Sequence, residues 1–219
     1  MIKAVRGGSK SSLRDAAYEK IKRMIVTLEL SPGERLNEQT VSDLVGIGRT
    51  PVHQALQLLD AQGFVKIIPR KGLIVQHDSL NDALTVLEAR VVIETELARM
   101  AAQRASPGAI GDLEASLGRS RKSMEAKDFQ AFMDSDWLFH NAIASAASNA
   151  ILSEMFSELH ARVERIWYLR PWKLENLKRT HEEHSDVFRA IANRKPEAAA
   201  EAMRAHLDTL RASIVDLKS

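Results

Sequence analysis

A chain of 219 residues, 45% hydrophobic and 27% charged, is long enough for one large globular domain or two small ones. No apolar run approaches the roughly 18 residues of a membrane span, and the basic start MIKAVRGGSKSSLRD lacks the apolar centre of a secretory signal. The absence of cysteine removes disulfides, thiol catalysis and cysteine-based zinc sites, and fits a cytoplasmic location.

Charge is unevenly spread. Residues 1–78 carry 12 Lys/Arg against 8 Asp/Glu, whereas 79–219 carry 19 against 21, so only the first third can present a basic face to a polyanion. Residues 1–12 show no apolar period and read as a flexible basic arm. Leu13, Ala17, Ile21, Met24, Ile25 and Leu28 then fall on one helical stripe, which Ser31-Pro32-Gly33 ends. Asn37 is placed to cap a short second helix bearing Val41, Leu44 and Val45. Gly46-Ile47-Gly48 makes a tight turn, and a third helix starts at Arg49-Thr50-Pro51 and buries Val52, Ala55, Leu56 and Leu59. Phe64 to Ile68 and Leu73 to Val75 read as two strands joined by Pro69-Arg70-Lys71-Gly72.

A short hinge near 76–80 leads into a segment that is helical throughout. The first helix carries Leu84, Leu87, Val91 and Ala98, and Ser106-Pro107 opens the second. Asp128 caps a third, and Asn149 precedes a fourth striped by Ile151, Met155, Leu159, Val163 and Ile166. A fifth follows Pro171, and Pro196 opens a sixth that runs to about Leu217. The expected architecture is a winged helix-turn-helix (α+β) over 13–76 and an all-α six-helix bundle over 79–217.

A helix fits the major groove of B-DNA, and the side chains of its first turns approach base edges. Arg49 can donate bidentately to a guanine edge, with Thr50, His53 and Gln54 beside it. Arg35, Arg70 and Lys71 suit phosphate contacts, which supply affinity and salt dependence. From spacing alone, a small domain used for protein contact remains the alternative. The run LSPGERLNEQTVSDLVGIGRTPVHQALQLLDAQGFVKIIPRKGLIV resembles the DNA-binding domain of the GntR family of bacterial transcription regulators. The resemblance implies binding of palindromic double-stranded operator DNA as a homodimer, with repression the common outcome and no membrane partner. Two departures stand out. Gly48 replaces the usual serine cap, and His53-Gln54 replaces the usual Arg-Glu, which implies a shifted operator preference.

In MDSDWLFHNAI, Asp136 and His140 share a helix face with Met133 and Ile143. In HEEHSDVFRAI, His181 and His184 share one with Phe188 and Ile191, and His206 lies on the side of Met203 and Leu210. One carboxylate and three imidazoles (Asp136, His140, His184, His206) suit one divalent metal per subunit, zinc first, with manganese, nickel or iron open. Each histidine taken singly also reads as a structural hydrogen bonder. The stretches EARVVIETELARMAA, DSDWLFHNAI, HEEHSDVFRAI and AMRAHL are similar to the FCD ligand-binding domain of FadR-subfamily regulators, in its shorter, VanR-like form. That resemblance implies metal ligands at those four positions and a small organic acid effector, a carboxylate or sugar acid. Arg90 matches an arginine that points into the family's ligand pocket; its other reading is a salt bridge to Glu94. Asn149 and His181 are lesser effector-binding candidates, Asn149 reading equally as a helix cap. Two further functions stay open: a metalloenzyme that activates water, and a regulator that senses the ion itself.

Overall fold

The computed structural model describes residues 12–76, 80–168 and 174–215. The expected basic arm up to residue 11 and the hinge at 77–79 lie outside the described residues. The chain divides into two compact units, Met1–Asp78 and Ser79–Ser219.

In the first unit, α1 (Leu13–Val26) starts at a capping box. Ser12 Oγ accepts the Asp15 N–H at 3.1 Å, and the Asp15 carboxylate accepts the Ser12 N–H at 3.3 Å. Ala17, Ile21 and Ile25 are buried as their stripe predicts, whereas Leu13, in the first turn, is exposed. Asn37 caps α2 (Glu38–Val45) by accepting the Thr40 N–H at 2.9 Å, and Gly46 closes that helix in the left-handed region. Ser42 Oγ donates to the Ile47 carbonyl at 2.6 Å and so braces the turn. The recognition-helix candidate α3 (Arg49–Ala61) begins at Gly48 with no side-chain cap, and Val52, Ala55, Leu56 and Leu59 are fully buried.

The expected hairpin is present as β2 (Val65–Ile68) and β3 (Gly72–Val75), antiparallel with Val65 opposite Val75. A third strand was not foreseen. β1 (Arg35–Leu36) pairs antiparallel with β3, giving the order β1-β3-β2. Two residues cannot show a period of two, so nothing in the residue pattern marks β1. Gly72 makes its approach possible: its φ is 93°, and a Cβ there would lie 2.3 Å from the Leu36 carbonyl oxygen. Asp60 Oδ1 accepts the Ile67 N–H at 3.0 Å, tying the hairpin to α3.

The second unit holds six described helices: α4 (Leu80–Arg104), α5 (Pro107–Ala126), α6 (Phe129–Ala146), α7 (Ala150–Tyr168), α8 (Leu174–Ala192) and α9 (Pro196–Val215). α4 packs against α6, α7, α8 and α9, while α5 packs against α6 and α8. Ser106 caps α5 with Pro107 in its first turn, and Asp128 caps α6. The apolar interior forms two clusters, one including Leu97, Phe139, Ile143, Val187 and Leu207, the other Leu87, Phe132, Met133, Leu177 and Ile214. Along α4, α6, α8 and α9 the buried polar residues fall between members of the two clusters.

At its first two positions the stripe read for α7 is displaced by one residue. Among the described side chains of α7, Phe156 and His160 are the buried ones, while Ile151 is 72% and Met155 46% exposed; the side chains of Val163 and Ile166 lie outside the described residues. Leu152 and Leu159 are partly buried against the core, so the inward face centres on 152, 156 and 160, and the two apolar residues chosen from sequence lie to one side.

The substitution Gly72→Ala should destabilise the first unit by roughly 1–3 kcal/mol, because a side chain is strained at this φ and meets the β1 backbone. Gly48→Ser, where a Cβ meets nothing within 4 Å, should shift stability by only about a few tenths of a kcal/mol. Denaturant unfolding of the two variants measures both; equal stabilities would contradict the packing at Gly72.

Candidate functional site

The seven residues expected to meet DNA are all exposed: Arg35 on β1, Arg49, Thr50, His53 and Gln54 on α3, and Arg70 and Lys71 at the hairpin tip. Arg49 and Arg70 line a common open groove of about 460 Å³ together with Glu38 and Pro69. His53 has its own partners. Its Nδ1 lies 2.7 Å from Glu38 Oε1 and its Nε2 lies 3.1 Å from the Gln57 amide nitrogen. With Nδ1–H donated to the carboxylate and Nε2 accepting from the amide, a neutral ring has no donor left for a base edge. Arg49, Thr50 and Gln54 therefore hold the side-chain donors on this face.

The three expected histidines converge in the second unit. His140 on α6, His184 on α8 and His206 on α9 are each at most 3% exposed. His140 Nε2 lies 3.2 Å from His184 Nε2, which lies 3.3 Å from His206 Nε2. All three ligating atoms fall within 4.8 Å of one another. Carboxylates behind the rings assign the protons: Glu94 Oε2 stands 2.5 Å from His140 Nδ1, and Glu183 Oε2 stands 2.8 Å from His206 Nδ1. Each of these Nδ1–H groups donates outward, so both Nε2 lone pairs point inward. His184 Nε2 faces two acceptors and holds at most one proton, so no protonation of neutral rings satisfies all three. A divalent cation does satisfy them, and this donor set fits one.

Asp136 stands beside the cluster, its Oδ1 3.5 Å from His184 Nε2 and its Oδ2 3.6 Å from His160 Nε2. Burial opposes ionisation of Asp136, but His160, His140 and His184 outweigh it and hold the carboxyl well below its ordinary range. Burial likewise opposes ionisation of Glu94, and Arg90 and His140 overcome it. Burial is the main cause that drives His184 well below the ordinary imidazole value, the direction that favours the neutral ring a metal requires. His160 is pushed down to about 4 by burial, only partly opposed by Asp136.

Arg90 forms the salt bridge to Glu94: it is 1% exposed and its Nε donates to Glu94 Oε1, and it also lines a cavity with Asp136, His206 and Thr180. That cavity measures about 20 Å³, room for a water-sized group. Asn149 and His181 are absent from its lining. Asn149 caps α7 by accepting the Leu152 N–H at 3.2 Å, and His181 Nδ1 lies 3.0 Å from Ser120 Oγ.

Three groups of this centre escaped the sequence: Glu94 as the partner of His140, Glu183 as the partner of His206, and His160. The spacing of Glu94 from Arg90 by four residues signalled one of its contacts. Glu183 and His160 carry no such signal, because each meets its neighbour across two helices.

Comparison with known proteins bears on both units. Residues 13–75 match the model of the bacterial regulatory proteins of the gntR family, and residues 85–209 match the FCD domain. The chain is 27% identical over 201 residues to the Escherichia coli HTH-type transcriptional repressor RspR, covering 92% of this chain and 88% of that protein. It is 28% identical over 207 residues to the Bacillus subtilis HTH-type transcriptional regulator LutR, covering 84% and 93%. Its fold matches the E. coli McbR/YncC structure with a TM-score of 0.86 at 19% identity, covering 95% of this chain and 99% of that one. No described helix is long and apolar enough to cross a membrane. The chain belongs to the GntR family of bacterial transcription regulators that carry a C-terminal FCD domain, a family of regulators and not of enzymes.

Proposed function

We propose that the protein is a repressor that binds a palindromic operator as a homodimer and whose affinity responds to a small organic acid held beside a zinc ion. The observation that carries the reading is the convergence of three buried imidazole Nε2 atoms beside Asp136 and Arg90. His140, His184, His206 and Asp136 would hold the metal, with manganese, nickel and iron as other fitting ions. When bound, the metal supplies a fixed positive charge on which a carboxylate can rest. Arg90, kept in place by Glu94, turns toward the same cavity and suits the acid's second contact. RspR is named a repressor, which supports repression here. A six-helix bundle supports the VanR-like form of the domain. Exposed Ile151 and Met155, one turn apart on α7, and exposed Val92 on α4 are apolar side chains available to a second copy. If the acid weakens operator binding, linkage requires the operator to weaken acid binding by the same factor.

A second reading, in which the ion itself is the signal, draws support from the cavity, which at about 20 Å³ is smaller than an organic acid. Operator affinity that follows free zinc at a constant level of acid separates it from the first.

Sequencing of genomic fragments captured by the zinc-loaded protein tests the function, and a few peaks sharing a short palindrome are expected. On that operator, Arg49→Ala should cost about 1–3 kcal/mol and erase preference over scrambled DNA. Arg70→Ala or Lys71→Ala should weaken all sequences alike and lower the salt slope by about 1. Unchanged discrimination in the first variant, or an unchanged slope in the second, contradicts the assigned roles. Replacing His140 and His184 together with alanine should strip the metal; full occupancy by elemental analysis would refute the ligand set.

A further inference from the structure

One buried side chain near the metal centre has no hydrogen-bond partner. His160, on α7, is 1% exposed, and neither ring nitrogen finds a partner among the described residues. Each orphaned nitrogen costs about 1–3 kcal/mol of unrecovered desolvation, so the position calls for an explanation. The ring is held between neighbours, its centroid 5.4 Å from Phe156 and 5.8 Å from His140. Its Nε2 stands 3.6 Å from Asp136 Oδ2, a few tenths of an ångström beyond a hydrogen bond. The other oxygen of that carboxylate, Oδ1, stands 3.5 Å from His184 Nε2, on the side of the histidine cluster. The two oxygens of Asp136 are thus divided between the cluster and His160.

We propose that His160 is a positioning residue of the metal centre, whose Nε2–H holds Oδ2 of Asp136 so that Oδ1 alone reaches the metal. The inference rests on the metal reading above. A neutral imidazole has one N–H to give, and the outer oxygen of Asp136 is the acceptor within reach. A carboxylate with both oxygens free can grip a cation through both and occupy an extra coordination position. With Oδ2 held, that position stays open to water or to the carboxylate of an organic acid. The contact has the same logic as Glu94 behind His140 and Glu183 behind His206, with the roles of carboxylate and imidazole exchanged.

The full-length protein and its His160→Ala, His160→Gln and His160→Leu variants test this, with folding followed by circular dichroism. Zinc affinity is read by chelator competition, and coordination by the visible spectrum of the cobalt(II)-loaded forms. Zinc affinity of His160→Ala should fall about 10–100-fold, and its cobalt bands should weaken as Asp136 becomes bidentate. His160→Gln, which restores an N–H donor, should recover most of both signals. A folded His160→Ala variant with wild-type zinc affinity and cobalt spectrum overturns the proposal. If that variant does not fold, the other two decide: Leu weaker than Gln supports it, and equal affinities overturn it. A wild-type protein that binds no zinc overturns the metal reading itself, and this inference with it.

Discussion

Three buried imidazole Nε2 atoms that face one another away from water form the constraint on which the second unit depends. Neutral acceptors at 3.2 and 3.3 Å repel unless a proton or a cation stands between them, and burial removes the water that would otherwise serve. The structure does not relieve the conflict by turning the rings. Glu94 and Glu183 fix His140 and His206 from behind, and Phe139 stacks on His184 with centroids 4.5 Å apart. The surroundings preserve a donor set shaped for a cation, at a cost in stability that a simple apolar core would not bear.

Glu94 is where two functions meet. One oxygen accepts from Arg90 and the other from His140, so a single buried carboxylate orients both the cavity's guanidinium and a metal ligand. Removing it would leave a buried arginine uncompensated as well as free the imidazole. The position of this polar layer between two apolar clusters explains how the bundle tolerates it. Each helix buries apolar side chains on either side of its polar residue, Met203 and Leu207 around His206 for example, and the apolar packing offsets the desolvation of the centre.

Helix existence was legible where apolar residues recur over several turns and caps flank them, as Asn37, Ser106 and Asp128 do. The inward faces of α6, α8 and α9 were legible for the same reason, since each histidine shares a stripe with strongly apolar neighbours. β1 was not, because two residues have no period, and its cause lies in Gly72, more than thirty residues on. The α7 face was misplaced because Ile151 and Met155 are apolar but exposed, and periodicity reads polarity without reading burial. His160 was missed by that same shift. Asn149 and His181 each have a partner within the chain, a helix end for the first and Ser120 for the second.

In the first unit, the departures from the family pattern are physically separable. Gly48 leaves α3 without a side-chain cap but does not prevent its first turn, while His53 stays exposed with its ring nitrogens engaged by Glu38 and Gln57. The most direct measurement for the account is anomalous diffraction at the zinc edge from crystals grown with zinc. The account predicts one peak in each subunit, about 2.0–2.1 Å from the Nε2 atoms of His140, His184 and His206 and within bonding distance of Asp136. Zinc bound only on the surface, with the three imidazoles bridged by water or protons, would contradict it.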